Sequence, residues 1–475
     1  MVFSSVVFLL YFLPPLLLIY FILPDKLKNS CLLLGSIFFY SWGAPRFIFI
    51  VLATTTLDFF LVKWMHAQRS VNRKKTILIL SVCMNVGLLF YFKYCNFFID
   101  NINSLTGLFH LHPLKWLNVV LPIGISFYTF ESLTYVIDVY RGEHAPLNKF
   151  WNYQLYIILF PKLIAGPIIR YSQIADQITD RFSNYSVDLV LSGFYRFVIG
   201  LSKKVLIANT VGSVADKIFA TDIYSINSAN AWIGMLAYTF QIYFDFSGYS
   251  DMAIGIGQML GFTFPENFNN PYTSKNITEF WRRWHMTLGA WMKNYLYIPL
   301  GGNRVLSKKR LYFNLWIVFI LSGFWHGASW NFIVWGIFHG TFLVLERLGL
   351  QKIVAKSGSI PSTLITFLTV SVGWILFRTS SLGFAARFIK KLFILNLSKN
   401  EIAYPNDFKT FFILAVFFSF FISIPFFKRI QDTIYSKSHS FKKQFVYSFF
   451  AMILLCISIA SITTSNFNPF IYFRF

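Results

Sequence analysis

Charged residues, cysteines and the signatures of soluble enzymes are scarce in this 475-residue sequence. Only 13% of the residues are charged, whereas 56% are hydrophobic and 20% aromatic, a composition that excludes a soluble globular domain. Four scattered cysteines form no CxxC motif, so neither a disulfide framework nor a metal site is expected. The motifs GxSxG, HExxH and the P-loop lysine are missing, and no histidine is followed five residues later by aspartate.

Long apolar runs recur along the whole chain. Because a membrane-spanning helix needs about 20 apolar residues, the sequence predicts an all-α polytopic membrane protein with about 10 to 12 transmembrane helices. The predicted spans lie near residues 3–23, 29–43, 46–62, 76–93, 118–138, 152–170, 188–208, 230–260, 311–345, 360–377, 409–427 and 445–463. Prolines and glycines around 122–124 and 160–167 predict broken or re-entrant helices around an internal site.

The basic residues predict how the chain is oriented. The formal net charge is +23, and lysines and arginines cluster between the spans, most densely from Arg282 to Arg310. The positive-inside rule places these loops in the cytoplasm and predicts an extracytoplasmic N-terminus, with the first apolar run retained as a span. Their dispersal through loops argues against nucleic-acid binding and favours attraction to anionic lipid. The densest cluster is suited to attracting a polyanionic cytoplasmic cofactor.

Two histidines are the candidates for chemistry. His326 lies within the apolar run from 311 to 345, where a titratable side chain is costly and indicates a functional site. His285 lies upstream in the cluster WRRWH. A neutral imidazole can take the proton of a hydroxyl that attacks an ester or thioester, and such assistance is worth roughly 10² to 10⁴ in rate. A hydrogen-bonded core histidine is the alternative for His326, and an interfacial histidine beside snorkelling arginines is the alternative for His285.

Three other features receive structural interpretations. On a continuous helix His339 would lie on a different face from His326, so it is expected to be structural. Asp245 and Asp251 are expected to pair with Arg282, Arg283 or Arg304, or to lie at a helix end. The glycines from 255 to 261 resemble a dinucleotide-binding loop, but close helix packing is the favoured explanation.

Several long motifs resemble those of the membrane-bound O-acyltransferases. They are QIYFDFSGYSDM from Gln241, EFWRRWH from Glu279 followed by YLYIPLGGNR from Tyr295, and SGFWHGASW from Ser322. The similarity also takes in PIGISFYTF from Pro122 and the segment 160–170, so it runs from about residue 121 to 340. It is closest to the bacterial branch that includes alginate O-acetylases, peptidoglycan O-acetyltransferases and the D-alanyl transferases of teichoic acid.

The resemblance implies a fold and a set of site residues. The fold is a single membrane domain over 1–475, a ring of tilted helices with a cytoplasmic funnel: N-terminal spans at 1–117, a catalytic core at 118–350, and C-terminal spans at 351–475 that end in FIYFRF. His326 matches the invariant family histidine, and His285 matches the second family position. The final motif resembles one whose tyrosine, here Tyr472, is proposed to accept the acyl group, and an interfacial aromatic belt is the alternative. The expected donor-binding residues are Trp281, Arg282, Arg283, Asn303 and Arg304.

The resemblance also implies a reaction. An acetyl group, with acetyl-CoA as the expected donor substrate and no bound cofactor, would pass across the bacterial cytoplasmic membrane for O-acetylation of an extracytoplasmic polysaccharide such as alginate or peptidoglycan. An SGNH-type acetyltransferase or esterase partner would complete the transfer. Two alternatives remain, a transporter or flippase of a lipid-linked sugar and an acyltransferase that acts on a lipid or a protein.

Overall fold

The structure, a computed structural model, describes residues 1–181, 185–394, 402–436, 440–464 and 471. Within these ranges the regular elements are helices and none is a strand, which confirms the predicted all-α class. The chain forms two compact units whose main boundary lies between Ser186 and Val187. Two short segments are exceptions to this boundary. Leu260–Phe264 belongs to the first unit, and Val2–Val6 belongs to the second.

The first unit is built from eight described helices. They are α1 (Val7–Ile22), α2 (Asp25–Gly43), α3 (Phe47–Ala67), α4 (Val71–Leu108), α5 (Ile125–Arg141), α6 (Phe150–Ile158), α7 (Phe160–Leu163) and α8 (Tyr171–Thr179).

The predicted helix interruptions in this unit are confirmed. Helix α5 begins only after Gly124, whose φ of 78° lies in the left-handed region, and a Cβ there would lie 2.7 Å from the carbonyl oxygen of Leu163. Glycine is therefore required at the start of α5. Helix α6 ends at Ile158, α7 is a single turn, and the following residues 164–170 are not helical.

The second unit contains the histidine motifs. Its described helices are α9 (Val187–Ala220), α10 (Ser228–Met259), α11 (Ile277–Arg283), α12 (Met286–Met292), α13 (Lys308–His326), α14 (Trp330–Lys356), α15 (Ser359–Arg378), α16 (Leu382–Phe393), α17 (Phe408–Ser423), α18 (Pro425–Ile434) and α19 (Phe441–Thr464).

Helices α9 and α10 cross at backbone contact. A Cβ on Gly193 would lie 2.6 Å from the carbonyl oxygen of Gly255, and a Cβ on Gly255 would lie 2.5 Å from that of Gly193. Gly200 and Gly248 face each other in the same way. Small residues let two membrane helices approach this closely, which confirms close packing as the role of Gly255.

Six described helices are long and apolar enough to cross a membrane, and the pair α17 and α18, bent by 96°, would make a seventh. The six are α3, α4, α9, α14, α15 and α19. About 10 to 12 spans were predicted. One predicted span is wrong, because the run from 311 to 345 forms two helices and not one. Helix α13 ends at His326, and α14 begins at Trp330.

Candidate active site

Helices α13 and α14 form a hairpin that is packed too tightly for side chains at its crossing points. A Cβ on Gly323 would lie 2.1 Å from the carbonyl oxygen of Phe332, and one on Gly336 would lie 2.3 Å from that of Phe319. Gly327, the first residue after α13, would place a Cβ 2.1 Å from the ring of Phe332. This packing fixes the end of α13, which is His326.

The His326 ring is enclosed by aromatic side chains. Its centroid lies 5.0 Å from that of Trp325, 5.1 Å from Phe377 and 5.5 Å from Trp335. Phe377 in turn contacts Phe332 edge to face. Edge-to-face contacts of this kind fix the plane of each ring, so packing orients the imidazole of His326, which is only 9% exposed.

His285 is held in a strained backbone conformation. Its φ of 45° and ψ of 52° lie in the left-handed region, a conformation that costs about 1–3 kcal/mol for most residues with a Cβ. The residue precedes α12, and its carbonyl oxygen accepts the N–H of Gly289 to open that helix. Strain of this kind persists only where the surroundings enforce it, and it often marks a functional position.

Asn267 enforces the position of His285. The Nδ1–H of His285 donates to Asn267 Oδ1 at 3.0 Å, and the Thr287 hydroxyl donates to the same oxygen at 2.8 Å. The Asn267 amide nitrogen donates to Ser250 Oγ, which fixes the orientation of the amide. Burial lowers the pKa of His285 to about 3, so its ring is neutral. With the proton on Nδ1, the lone pair of the neutral ring is on Nε2.

Trp325 joins the two histidines. Its ring centroid lies 6.3 Å from that of His285 and 5.0 Å from that of His326. Phe246 packs edge to face on the other side of His285, at 4.7 Å. The structure therefore places both histidines in one buried aromatic cluster of the second unit.

Chain neighbours of each histidine line a cavity. The first, of about 430 Å³, is lined by Gly327, which follows His326 in the chain, by Phe377, whose ring contacts His326, and by Phe332. The second, of about 300 Å³, is lined by Asn267, which holds His285, and by Met286, which follows it.

Comparison with known proteins decides the family. The sequence model of MBOAT, the membrane-bound O-acyltransferase family, matches residues 143–357. The chain is 43% identical to "Probable alginate O-acetylase AlgI" of Pseudomonas aeruginosa, over 83% of this chain and 75% of that protein. It belongs to the membrane-bound O-acyltransferase family. The resemblance seen in the sequence is confirmed, and the protein is a multi-pass membrane enzyme that transfers acyl groups to oxygen.

Two further relatives lie in the same family branch. The peptidoglycan O-acetyltransferase of Helicobacter pylori is 35% identical over 100% of this chain and 98% of that protein. The teichoic acid D-alanyltransferase of Bacillus subtilis is 30% identical over 55% of this chain and 69% of that protein.

Two buried aspartates of this O-acyltransferase have partners that the sequence did not predict. Asp245 pairs with Lys204 at 2.8 Å. Asp251 accepts from Arg196 at 2.9 Å and from Lys203 at 2.7 Å. The expectation that these aspartates pair with the arginines at 282, 283 or 304 is therefore wrong. These three basic partners lie on α9, because the glycine crossing brings the faces of α9 and α10 together.

His339 lies nearer to His326 than a continuous helix would allow. Trp335 contacts both rings, with centroid distances of 5.5 Å to His326 and 4.9 Å to His339. The premise of one continuous helix was wrong, because α13 and α14 fold back at 327–329. His339 is fully buried, and its ring packs against Trp281 as well.

The five expected donor-binding residues lie in different surroundings. Trp281 packs edge to face on Trp335 within the aromatic cluster, and Arg283 forms a 2.7 Å ion pair with Glu279. Arg282, Asn303 and Arg304 are exposed. Tyr472 lies outside the described residues, so its predicted role stays a prediction.

Sequence reasoning missed the residues that hold the histidines in place. Asn267, Trp335 and Phe377 carry no motif signal by themselves, and two of the three are ordinary aromatic residues in an aromatic-rich chain. One signal was available, since Asn267 begins the asparagine-rich stretch NFNN ahead of the WRRWH cluster. Polar amides in an apolar chain indicate buried hydrogen bonds.

Proposed function

We propose that this enzyme takes an acetyl group from acetyl-CoA in the cytoplasm and passes it across the membrane for O-acetylation of an extracytoplasmic polysaccharide. Two relatives, a probable alginate O-acetylase and a peptidoglycan O-acetyltransferase, support the acetyl group and the class of acceptor. The observation that carries the proposal is that Trp325 contacts two buried imidazoles, and that chain neighbours of each histidine line a cavity of their own. Such an arrangement suits a donor and an acceptor that reach one reaction centre separately.

His326 is the proposed general base. It takes the proton of the acceptor hydroxyl as that oxygen attacks the thioester carbonyl of the donor. The new C–O bond forms, the C–S bond breaks, and the proton passes to the departing thiolate, so that an ester and a free thiol result. Enclosure by Trp325, Trp335 and Phe377 excludes water, which would otherwise hydrolyse the thioester.

His285 is the proposed partner on the donor side. Its proton on Nδ1 is held by Asn267, which leaves Nε2 as an acceptor toward the donor or the reaction centre. The donor then enters by the 300 Å³ cavity, and the basic residues Arg282, Arg283 and Arg304, with Trp281 and Asn303, assist its capture. This assignment fits a cytoplasmic donor site and an N-terminus outside the cytoplasmic membrane.

Tyr472 is the proposed first acceptor. Its phenol would carry the acetyl group as an aryl ester and pass it to an SGNH-type partner, which would acetylate the polysaccharide. Its chain neighbour Ile471 lines the 430 Å³ cavity together with Gly327, the residue after His326, which supports an acceptor role for Tyr472.

The decisive experiment compares His326→Ala with His66→Ala, an exposed histidine of α3, in cells that lack the native protein. Ester-linked acetate on cell-wall and secreted glycans is measured by mass spectrometry, and protein abundance by immunoblot. We expect His326→Ala to lower acetylation at least about 100-fold, because general-base catalysis contributes roughly 10² to 10⁴. His66→Ala should leave it unchanged.

Retained acetylation in an abundant His326→Ala variant would contradict the proposal. A transporter of a lipid-linked sugar would instead move its substrate in vesicles that contain no acyl donor. Acetate on lipid or protein, and not on glycan, would favour the third alternative.

A further inference from the structure

A buried ion pair links α9 to α10 in the second unit. Asp245 of α10 is 1% exposed and Lys204 of α9 is 2% exposed, and Lys204 Nζ lies 2.8 Å from Asp245 Oδ1. Lys204 also donates to Asn209 Oδ1 at 2.7 Å. Removing two charges from water is costly, and such a pair persists only when further hydrogen bonds satisfy it.

The second oxygen of Asp245 binds a distant part of the chain. The backbone N–H of Ile471 donates to Asp245 Oδ2 at 2.8 Å. A hydrogen bond to a charged oxygen is roughly twice as strong as one between neutral groups, and burial strengthens it further. Because the donor is a backbone N–H, the contact does not depend on which side chain residue 471 carries.

Ile471 is also anchored by its side chain. It is 4% exposed and belongs to the same hydrophobic core as Trp335 and Phe377, the residues around His326. It lines the 430 Å³ cavity together with Gly327 and Ser329. The hydrogen bond to Asp245 therefore fixes residue 471 in the wall of the cavity next to His326.

We propose that the Asp245–Lys204 pair is a latch that holds Ile471 against this cavity. Lys204 Nζ pairs with one carboxylate oxygen of Asp245, and the other oxygen accepts the backbone N–H of residue 471. Two pieces of evidence fix the geometry independently, the hydrogen bond to the backbone and the burial of the side chain. The latch itself needs no acyl transfer, but its use in catalysis rests on the proposed function, in which the residue after Ile471 receives the acetyl group.

The test removes the N–H and leaves the ion pair intact. Substituting Asp245 would leave Lys204 buried and unpaired, and the protein would then be at risk of not folding. Ile471→Pro has no backbone N–H to donate, whereas the matched control Ile471→Val keeps the N–H and most of the side chain. Both are made in the full-length protein in detergent, with Cys31, Cys83, Cys95 and Cys456 replaced by serine.

A cysteine at Ser329, which lines the same cavity, reports whether Ile471 is in place. Its rate of reaction with a polar maleimide is compared in the parent, Ile471→Pro, Ile471→Val and a chain truncated after residue 464. We expect Ile471→Pro to react about tenfold or more faster than the parent, as the truncated chain does, since it loses a charge-assisted hydrogen bond. Ile471→Val should react at the parent rate.

Two results would overturn the latch. One is labelling of Ile471→Pro at the parent rate while the truncated chain labels faster, since the N–H would then be dispensable. The other is equal labelling of the truncated chain and the parent, since Ile471 would then not shield the cavity.

Tyr472→Phe separates the latch from the proposed reaction. It should label at the parent rate and still lose acetyl transfer if Tyr472 is the acceptor. Normal transfer in Tyr472→Phe would refute the relay and leave the latch standing.

Discussion

The two histidines of the aromatic cluster are fixed in opposite ways. His285 is fixed by polar contacts, since its ring donates to Asn267 and its backbone is strained at φ 45°. His326 is fixed by shape, since it ends a helix whose glycines pack against the next helix and its ring is enclosed by Trp325, Trp335 and Phe377.

This contrast indicates different roles for the two histidines. A hydrogen bond at Nδ1 selects one tautomer of the imidazole. In His285 this bond keeps the proton on Nδ1, so the lone pair that can accept a proton is on Nε2. Aromatic packing orients the ring of His326, the proposed base, within the cluster. The proposed roles, a fixed partner for His285 and a working base for His326, follow this difference.

The largest effect should come from breaking the packing around His326. Gly327→Ala would drive a Cβ into the Phe332 ring, an overpacking cost of about 1–3 kcal/mol in the free energy of unfolding. Displacing His326 by about 1 Å should lower kcat roughly 100-fold. Thermal unfolding in detergent and acetyl-transfer rates measure the two quantities.

Gly87→Ala is the matched control for this prediction. Gly87 lies in α4, and a Cβ there would meet nothing within 4 Å, so stability should stay the same or rise slightly. A Gly327→Ala protein with normal stability and normal kcat would show that packing does not position His326.

The next effect concerns the hydrogen bond to His285. Asn267→Ala leaves a buried Nδ1–H unpaired, which costs about 1–3 kcal/mol and should lower kcat/KM roughly 10- to 100-fold. Asn267→Asp restores an acceptor but places a carboxylate beside the ring, which raises the pKa of His285.

The pH dependence distinguishes these variants. With the pKa of His285 at about 3, the parent ring stays neutral between pH 5 and 8, and its titration contributes nothing to the profile there. In Asn267→Asp the ring gains a proton as the pH falls, so kcat/KM should decline toward acid pH at a higher pH than in the parent. Superimposable profiles would argue against a role for neutral His285.

The smallest effect should come from the exposed basic residues. Joint replacement of Arg282 and Arg304 by glutamine should raise the KM for the donor about two- to fivefold at low salt, because exposed charges are well solvated and screened. The effect should shrink at high salt. Lys352→Gln, an exposed change on α14, is the control. A fall in kcat at unchanged KM in the double arginine variant would contradict a role for these arginines in donor capture.

Much of the fold could be predicted because membrane helices need long apolar runs. Helices α2, α3, α15 and α19 all overlap their predicted ranges, and the helix interruptions near Gly124 and Pro161 followed from local residue chemistry. The division of the run at 311–345 could not be predicted in this way. The sequence between the two helices, GAS at 327–329, offers a single glycine as a turn signal. The turn forms because the glycines of α13 and α14 pack against the facing helix.

The partners of the buried aspartates illustrate the same limit. Charge alone indicated that Asp245 and Asp251 would pair, and they do, but the sequence favoured the arginines of the WRRWH region. The observed partners Lys204, Lys203 and Arg196 lie about 40 to 55 positions earlier on α9. Which cation a buried carboxylate meets depends on which helix faces pack together.

The sequence by itself determined that this is an all-α membrane protein of the O-acyltransferase family, because apolar length and the spacing of long motifs are local properties. It also singled out His285 and His326, since a titratable residue in an apolar setting is costly wherever it lies. Only the tertiary structure decided that Trp325 joins them, that Asn267 fixes one of them and that Asp245 binds the backbone of Ile471. Those contacts join residues far apart in the chain, and close packing of helices through glycine brings them together.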